Sequence, residues 1–126
     1  MGLLDRFRRF RERSGPRELS EWYHVNFDDQ RVRICAEPPG RQPWTQEFTW
    51  ASVERIAFKA EDLGVSDGIY VFTSERPESY VIPTEADGGG ALWEEILRRG
   101  LFDPELAIKA ASSPEGLFIW PPESEG

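Results

Sequence analysis

The chain is predicted to form an α+β domain: an antiparallel sheet, or a partly closed barrel, of about six to seven strands, with two short helices before the last strand. Three observations predict it. Apolar and polar residues alternate with a period of two through most of residues 21 to 85. The period changes to that of a helix in "ALWEEILRRG". Asp103 followed by Pro104 then signals a second helix start, ahead of a final apolar run, "GLFIW".

The strands follow in order. In "WYHVNF", Tyr23, Val25 and Phe27 share one face, while Trp22, His24 and Asn26 share the other. "DDQ" makes a turn, and "RVRICA" returns with Val32, Ile34 and Ala36 inward, which completes a hairpin. After the loop "EPPGRQP", "WTQEFTW" alternates through Trp44, Gln46, Phe48 and Trp50, and "VERIAF" supplies another apolar run. The loop "EDLGVSDG" leads into "IYVFTS", and Pro77 is expected in a turn before "SYVIP".

Leu92, Trp93, Ile96 and Leu97 then fall on one helical face, with Gly100 as a stop. The second helix runs through "LAIKAA" to "SSP". The core is expected to draw on Phe48, Trp50, Ile56, Tyr70 or Phe72, Leu92, Ile96 and Ile108.

With 126 residues and 14.5 kDa, the chain suits one domain. Residues 1–16 read as a basic amphipathic leader and linker, broken by Ser14, Gly15 and Pro16; residues 17–121 read as the domain, and 122–126 as an acidic tail. Cys35 is the only cysteine, so no internal disulfide is expected, and within "VRICA" it reads as a small packed side chain. No uncharged apolar run is long enough to span a bilayer, and the leader lacks the apolar stretch and cleavage site of a secretory signal. A cytoplasmic location is expected, with peripheral membrane association through the leader as its variant.

Charge divides the chain unevenly. Residues 1–13 carry five arginines against Asp5 and Glu12, a net +3, so a formal charge of -8 leaves -11 on the rest. An acidic body disfavours nucleic acid, whose phosphates are met by Lys and Arg clusters. On a helical wheel, Leu3, Phe7 and Phe10 share a sector with Leu4 beside it, while Arg6, Arg9 and Arg13 cluster on another. Such a segment could lie on an anionic membrane, dock on the acidic body, meet a partner, or fray as a terminus.

The residues that carry chemistry are few. One histidine and one cysteine give no metal-binding spacing, and His24 reads as a structural or surface imidazole, or as part of a binding spot with Trp22. The carboxylate pairs Glu61/Asp62 and Glu94/Glu95 read as surface solvation, since adjacent carboxylates on a helix point apart. "SDGI" and "EADGGG" lack the alternating ligands of an EF-hand loop. "DGGGALWEE" resembles a phosphate-holding turn locally, but no GK[ST] follows and Glu85, Asp87, Glu94 and Glu95 would repel an anion. No cofactor is expected.

The stretch "FTWASVERIAF" is similar to bacterial pleckstrin-homology-like domains, in which a Trp, a polar step and two aliphatics occur at this point. More broadly, "WYHVNFDDQRVRI", the "W..VERI" segment, "VIP" and "LFDPELAIKA...GLFIW" resemble a family of small uncharacterised bacterial proteins over residues 22–120. That resemblance implies no activity and no catalytic residues.

The reading is a non-catalytic, acidic protein-binding domain, an adaptor or an inhibitor of the immunity kind. Sixteen aromatic residues supply interface anchors, and surplus carboxylates would steer a basic protein partner. Trp22, His24 and Trp44 are the expected partner-binding residues. A peripheral membrane adaptor using the leader is the alternative, and an enzyme with an unfamiliar carboxylate site is a third. Deleting Met1 to Arg13 should leave folding intact, because the domain's patterning begins after the Ser-Gly-Pro break. Far-UV circular dichroism and the melting temperature should barely change, and a loss of cooperativity would place the leader in the core.

Overall fold

The period-two segments fold as seven antiparallel strands divided between two sheets. The computed structural model describes residues 19–61 and 66–122. β1 (Tyr23–Phe27), β2 (Arg31–Ala36) and β3 (Trp44–Thr49) form a three-stranded sheet in sequence order. β4 (Val53–Ala60), β5 (Gly68–Thr73), β6 (Arg76–Pro83) and β7 (Gly116–Trp120) form a second sheet, ordered β6-β5-β4-β7. The sheets remain separate, and the described residues form no closed barrel. The leader residues Leu3, Leu4, Arg6, Phe7, Arg9, Phe10 and Arg13, the Ser14-Gly15-Pro16 break and the tail from Glu123, for which the sequence raises expectations, lie outside the described residues.

Among the described residues, three α-helices accompany the sheets, α1 (Leu19–Trp22), α2 (Gly89–Arg98) and α3 (Pro104–Ala111), with a short 3-10 turn at Trp50–Ser52. No helix among the described residues is long and apolar enough to cross a membrane. α2 ends as expected at Gly100, whose φ of 73 suits glycine. The Gly100 and Leu101 N–H groups donate to the Leu97 and Ile96 carbonyls, both at 3.1 Å, which closes a Schellman turn. At α3, Asp103 Oδ2 accepts from the Leu106 N–H at 2.9 Å, so the expected cap is present.

One core lies between the inner face of the second sheet and a cover made of the first sheet and the helices. Val32, Ile34, Ile56, Ile69, Ile82, Leu92 and Phe102 are fully buried there. Phe48 stacks against Tyr80 with ring centroids 4.8 Å apart, which joins the two sheets, and Trp93 links Phe58 to Phe102 at 4.9 and 5.0 Å. α3 packs on β4 and β7 through the small side chains of Ala107 and Ala110.

Several expectations are corrected. Trp22 ends the helical turn α1 and does not begin a strand, although its carbonyl already accepts from the Glu37 N–H as the chain enters β1. Pro77 lies inside β6, with the turn at Ser74 and Glu75; β6 is an edge strand, where a residue without an N–H is tolerated. α2 begins at Gly89, so the glycine run is partly helical. Ile108 is 68% exposed, and Phe102, Ala107 and Ala110 fill the place expected for it. Tyr70 and Phe72 belong to the sheet face opposite the core, where Ile69 and Val71 are buried. Replacing Ile96, 1% exposed, with Ala should therefore cost about 2 to 5 kcal/mol in denaturant unfolding, whereas Ile108→Ala should stay within about 0.5 kcal/mol.

Candidate functional site

The residues expected to bind a partner divide between two places. Trp22 and Trp44 flank Tyr23, with ring centroids 5.8 and 5.7 Å away, and form an aromatic cluster at one end of the first sheet. Trp22 packs against the core and is half-buried, while Trp44 is 37% exposed. His24 lies on the opposite face of that sheet, since strand neighbours alternate. Its Nδ1 is 3.0 Å from Asp87 Oδ2, and Cys35, half-buried and free, is its partner across the strands. The structure thus brings Trp22 and Trp44 together but separates both from His24. Cys35, read as a small packed side chain, is half-buried on the outer face, because β2 buries its even-numbered residues Val32, Ile34 and Ala36.

The outer face of the first sheet is otherwise polar. Glu47 Oε1 accepts from Arg31 at 2.9 Å, and its Oε2 accepts from Arg33 at 3.0 Å. Arg33 foremost, with Arg31, holds the Glu47 carboxyl below the ordinary carboxylate range.

The outer face of the second sheet is different. Cross-strand register lines up Val81, Tyr70, Ala57 and Ile119 in one row across all four strands. A neighbouring row runs Pro83, Gly68, Lys59 and Leu117, and Phe72 pairs with Arg55. Val81 is 40% exposed and Leu117 58%, and none of Tyr70, Phe72, Val81, Leu117 or Ile119 packs against the core. The Tyr70 ring occupies the space above Gly68, where a side-chain carbon would come within 3.0 Å of it. A shallow groove of about 560 Å³ lies on this face, lined by Ala57, Tyr70, Phe72, Leu117 and Ile119 together with Arg55, Lys59, Arg76 and Glu54.

The cations of the groove are held in distinct ways. Arg55 Nε donates to the Pro121 carbonyl at 2.8 Å, which sets its guanidinium beside the end of β7. Arg76 donates to the Glu78 and Ser79 carbonyls at 3.0 and 2.9 Å. Lys59 pairs with Glu61 at 3.1 Å, and that carboxylate raises the Lys59 ammonium above its usual range. Two arginines bonded to neutral carbonyls keep their charge uncompensated in these bonds.

A second groove, of about 710 Å³, lies between the β1–β2 turn and the end of α2. Its chemistry is taken up internally. Trp50 Nε1 donates to the Asp28 carbonyl at 2.9 Å, and the Arg99 guanidinium lies 4.2 Å from the Trp50 ring centre while bonded to Glu95 at 2.8 Å. Arg98, and then Arg99, hold Glu95 below the ordinary carboxylate range. Among the described residues, no group of three His, Cys, Asp or Glu side chains could hold a metal ion.

The sequence reading missed Tyr70, Phe72, Val81, Leu117 and Ile119 as surface residues. A signal was present: "IYVFT" and "GLFIW" are apolar on both strand faces, a pattern that requires cover on both sides if neither is to face water. Among the described residues, helices cover only one side of this sheet. Comparisons with protein-family models, curated proteins and solved structures return no match to the chain.

Tyr23 offers a test of how the sheets are joined. Its phenol donates to the Val81 carbonyl of β6, and burial pushes its pKa from the usual 10.0 up to about 12. The folded state therefore keeps this proton longer than the unfolded chain does. The resulting stability is complete below pH 10 and is lost as pH rises toward 12. Chemical denaturation across that window should show a steeper loss in the native protein than in Tyr23→Phe; equal slopes would mean that the phenol is not shielded.

Proposed function

We propose that the chain is a non-catalytic protein-binding domain whose contact surface is the open face of the four-stranded sheet. The observation that carries this reading is the apolar row Val81, Tyr70, Ala57 and Ile119 beside Leu117 and Phe72, in which Val81 and Leu117 are exposed and Tyr70, Phe72 and Ile119 are partly so among the described residues. The contrast between the two sheets supports it. One outer face carries His24, Asn26, Arg31, Arg33, Thr45 and Glu47, as a solvated antiparallel sheet should; the other carries aromatics and aliphatics in register.

Tyrosine and phenylalanine in a flat, rigid sheet are suited to binding. They present large contact areas, and their backbone is already fixed by hydrogen bonds on both sides. The charged residues add orientation. With Lys59 neutralised by Glu61, Arg55 and Arg76 against Glu54 leave this face weakly cationic in a chain of net charge -8. The reading from net charge alone favoured a basic partner, whereas the local charge of this face favours an acidic one.

The test compares surfaces. Cross-linking capture from the source cells should recover a partner with the native protein and lose it with Leu117→Asp and with Val81→Asp, once circular dichroism confirms folding. A central apolar contact replaced in this way should weaken binding by about 2 kcal/mol or more, roughly thirtyfold. Equal recovery with these variants, together with loss in Trp22→Ala or Trp44→Ala, would move the surface to the aromatic cluster around Tyr23.

A further inference from the structure

A sheet offers a partner its edges as well as its faces. An edge strand turns alternate N–H and C=O groups outward, ready to pair with another extended chain. The protein has four such edges, and three carry internal cover. Asp87 lies along β1, with its carbonyl accepting from the Val25 N–H at 2.8 Å and its N–H donating to the Tyr23 carbonyl at 2.9 Å. At β3, the Tyr80 hydroxyl is 3.4 Å from the Glu47 carbonyl. Along β6, the carbonyls of Val81, Glu78 and Ser79 accept from Tyr23 and Arg76.

β7 differs. It pairs with β4 on one side, and among the described residues no hydrogen bond closes its other side. No charged residue or proline interrupts Gly116–Trp120, so the usual devices that blunt an edge are missing from the strand itself. The edge is also continuous with the open face, because Leu117 and Ile119 belong to both.

We propose that the outer edge of β7 receives an extended, acidic segment of a partner protein, which extends the second sheet to a fifth strand. The proposal rests on the protein-binding reading of the same face and specifies its mode. An added strand would continue the row Val81, Tyr70, Ala57 and Ile119, with its apolar side chains beside Leu117 and Ile119. Charge selects the acidic class. Arg55 is fixed beside the end of β7 through its bond to the Pro121 carbonyl, which leaves its guanidinium without a carboxylate in that bond and next to the path of an added strand. Backbone pairing would give affinity, and the alternating pockets and this cation would give selectivity.

The probe is a short peptide whose same-face positions alternate valine and glutamate, with serine at the positions between them (Ser-Val-Ser-Glu-Ser-Val), blocked at both ends and added to the full-length protein. Two-dimensional NMR and amide hydrogen exchange report on β7. The expected result is slowed exchange at alternate amides of Gly116–Trp120, with a lysine counterpart binding more weakly and the difference shrinking as salt rises. Methylating the peptide's alternate backbone nitrogens in one of the two possible registers should weaken it about tenfold, the effect of losing one or two backbone hydrogen bonds.

Equal binding of both methylated peptides would overturn strand addition. If that binding still disappeared in Leu117→Asp, the open-face reading would survive without it. Equal binding of acidic and basic peptides would overturn the charge assignment, and so would no change at β7 with peptide at millimolar concentration. Amides of β7 already protected on both sides without peptide would assign the edge to this chain, or to a second copy if protection rose with protein concentration, and would overturn the proposal.

Discussion

Gly88 meets the carbonyl of Val25 so closely that a side-chain carbon there would sit 2.1 Å from the oxygen. Its φ of 87 adds a second reason for glycine, since L side chains rarely adopt that conformation. The contact holds the segment between β6 and α2 against the edge of β1, where the two backbone bonds of Asp87 take hold. Gly89 is confined in the same way, with a side-chain carbon placed 2.6 Å from the Thr84 carbonyl. Two of the three glycines in a run that reads as a loose connection are therefore pressed against neighbouring backbone, while Gly90 has open space around it. The run joins the three-stranded half to the four-stranded half and directs α2, so that Leu92 and Ile96 reach the core.

Once α2 is set, the aromatic residues follow from it. Trp93 lies between Phe58 and Phe102, and Arg99 at the helix end rests on Trp50, whose indole and backbone N–H groups both bond to the β1–β2 turn. The turn has its own support, because Asp28 Oδ1 accepts from the Gln30 and Arg31 amides at 2.8 Å each. These amide bonds, Gln30 first, hold the Asp28 carboxyl below its usual range. All of this cover falls on one side of the second sheet. Burying Leu117 and Val81 as well would gain roughly 25 cal/mol for each Å² removed from water, and the fold forgoes that gain.

Much of this architecture can be read from residue order. Local rules decide the hairpins, the Asp103 cap and the Gly100 stop, and each depends on neighbours a few positions away. The inward faces of β1 and β2 follow from alternation alone. What alternation cannot supply is which face of a doubly apolar strand meets the core. Tyr70 and Phe72 are bulkier than Ile69 and Val71, yet the smaller pair is buried, because the packing partners come from distant segments. Ile108 and Ala107 illustrate the same point on α3: small side chains face β4 and β7, where a helix must approach closely, and the larger residue is left outside. Trp22 and His24 were assigned to one face by assuming a strand that begins one residue early. The helical turn α1 breaks that assumption, and the binding residues expected there are separated as a result.

The position of β7 also bears on how the chain reaches its native state. The pairs β1–β2, β2–β3, β4–β5 and β5–β6 join strands adjacent in sequence, whereas Ile56 must find Trp120 across two intervening strands and two helices. Contacts between such distant positions are slow to form, because the intervening chain must be ordered first. Until β7 arrives, β4 has an exposed side rich in apolar groups, including Ile56 and Phe58, in a species prone to mispairing. Glu54, Arg55 and Lys59 interrupt that run with charge. Charges set within such a run must lose their water if immature chains pair through it, which makes that first step toward aggregation costly.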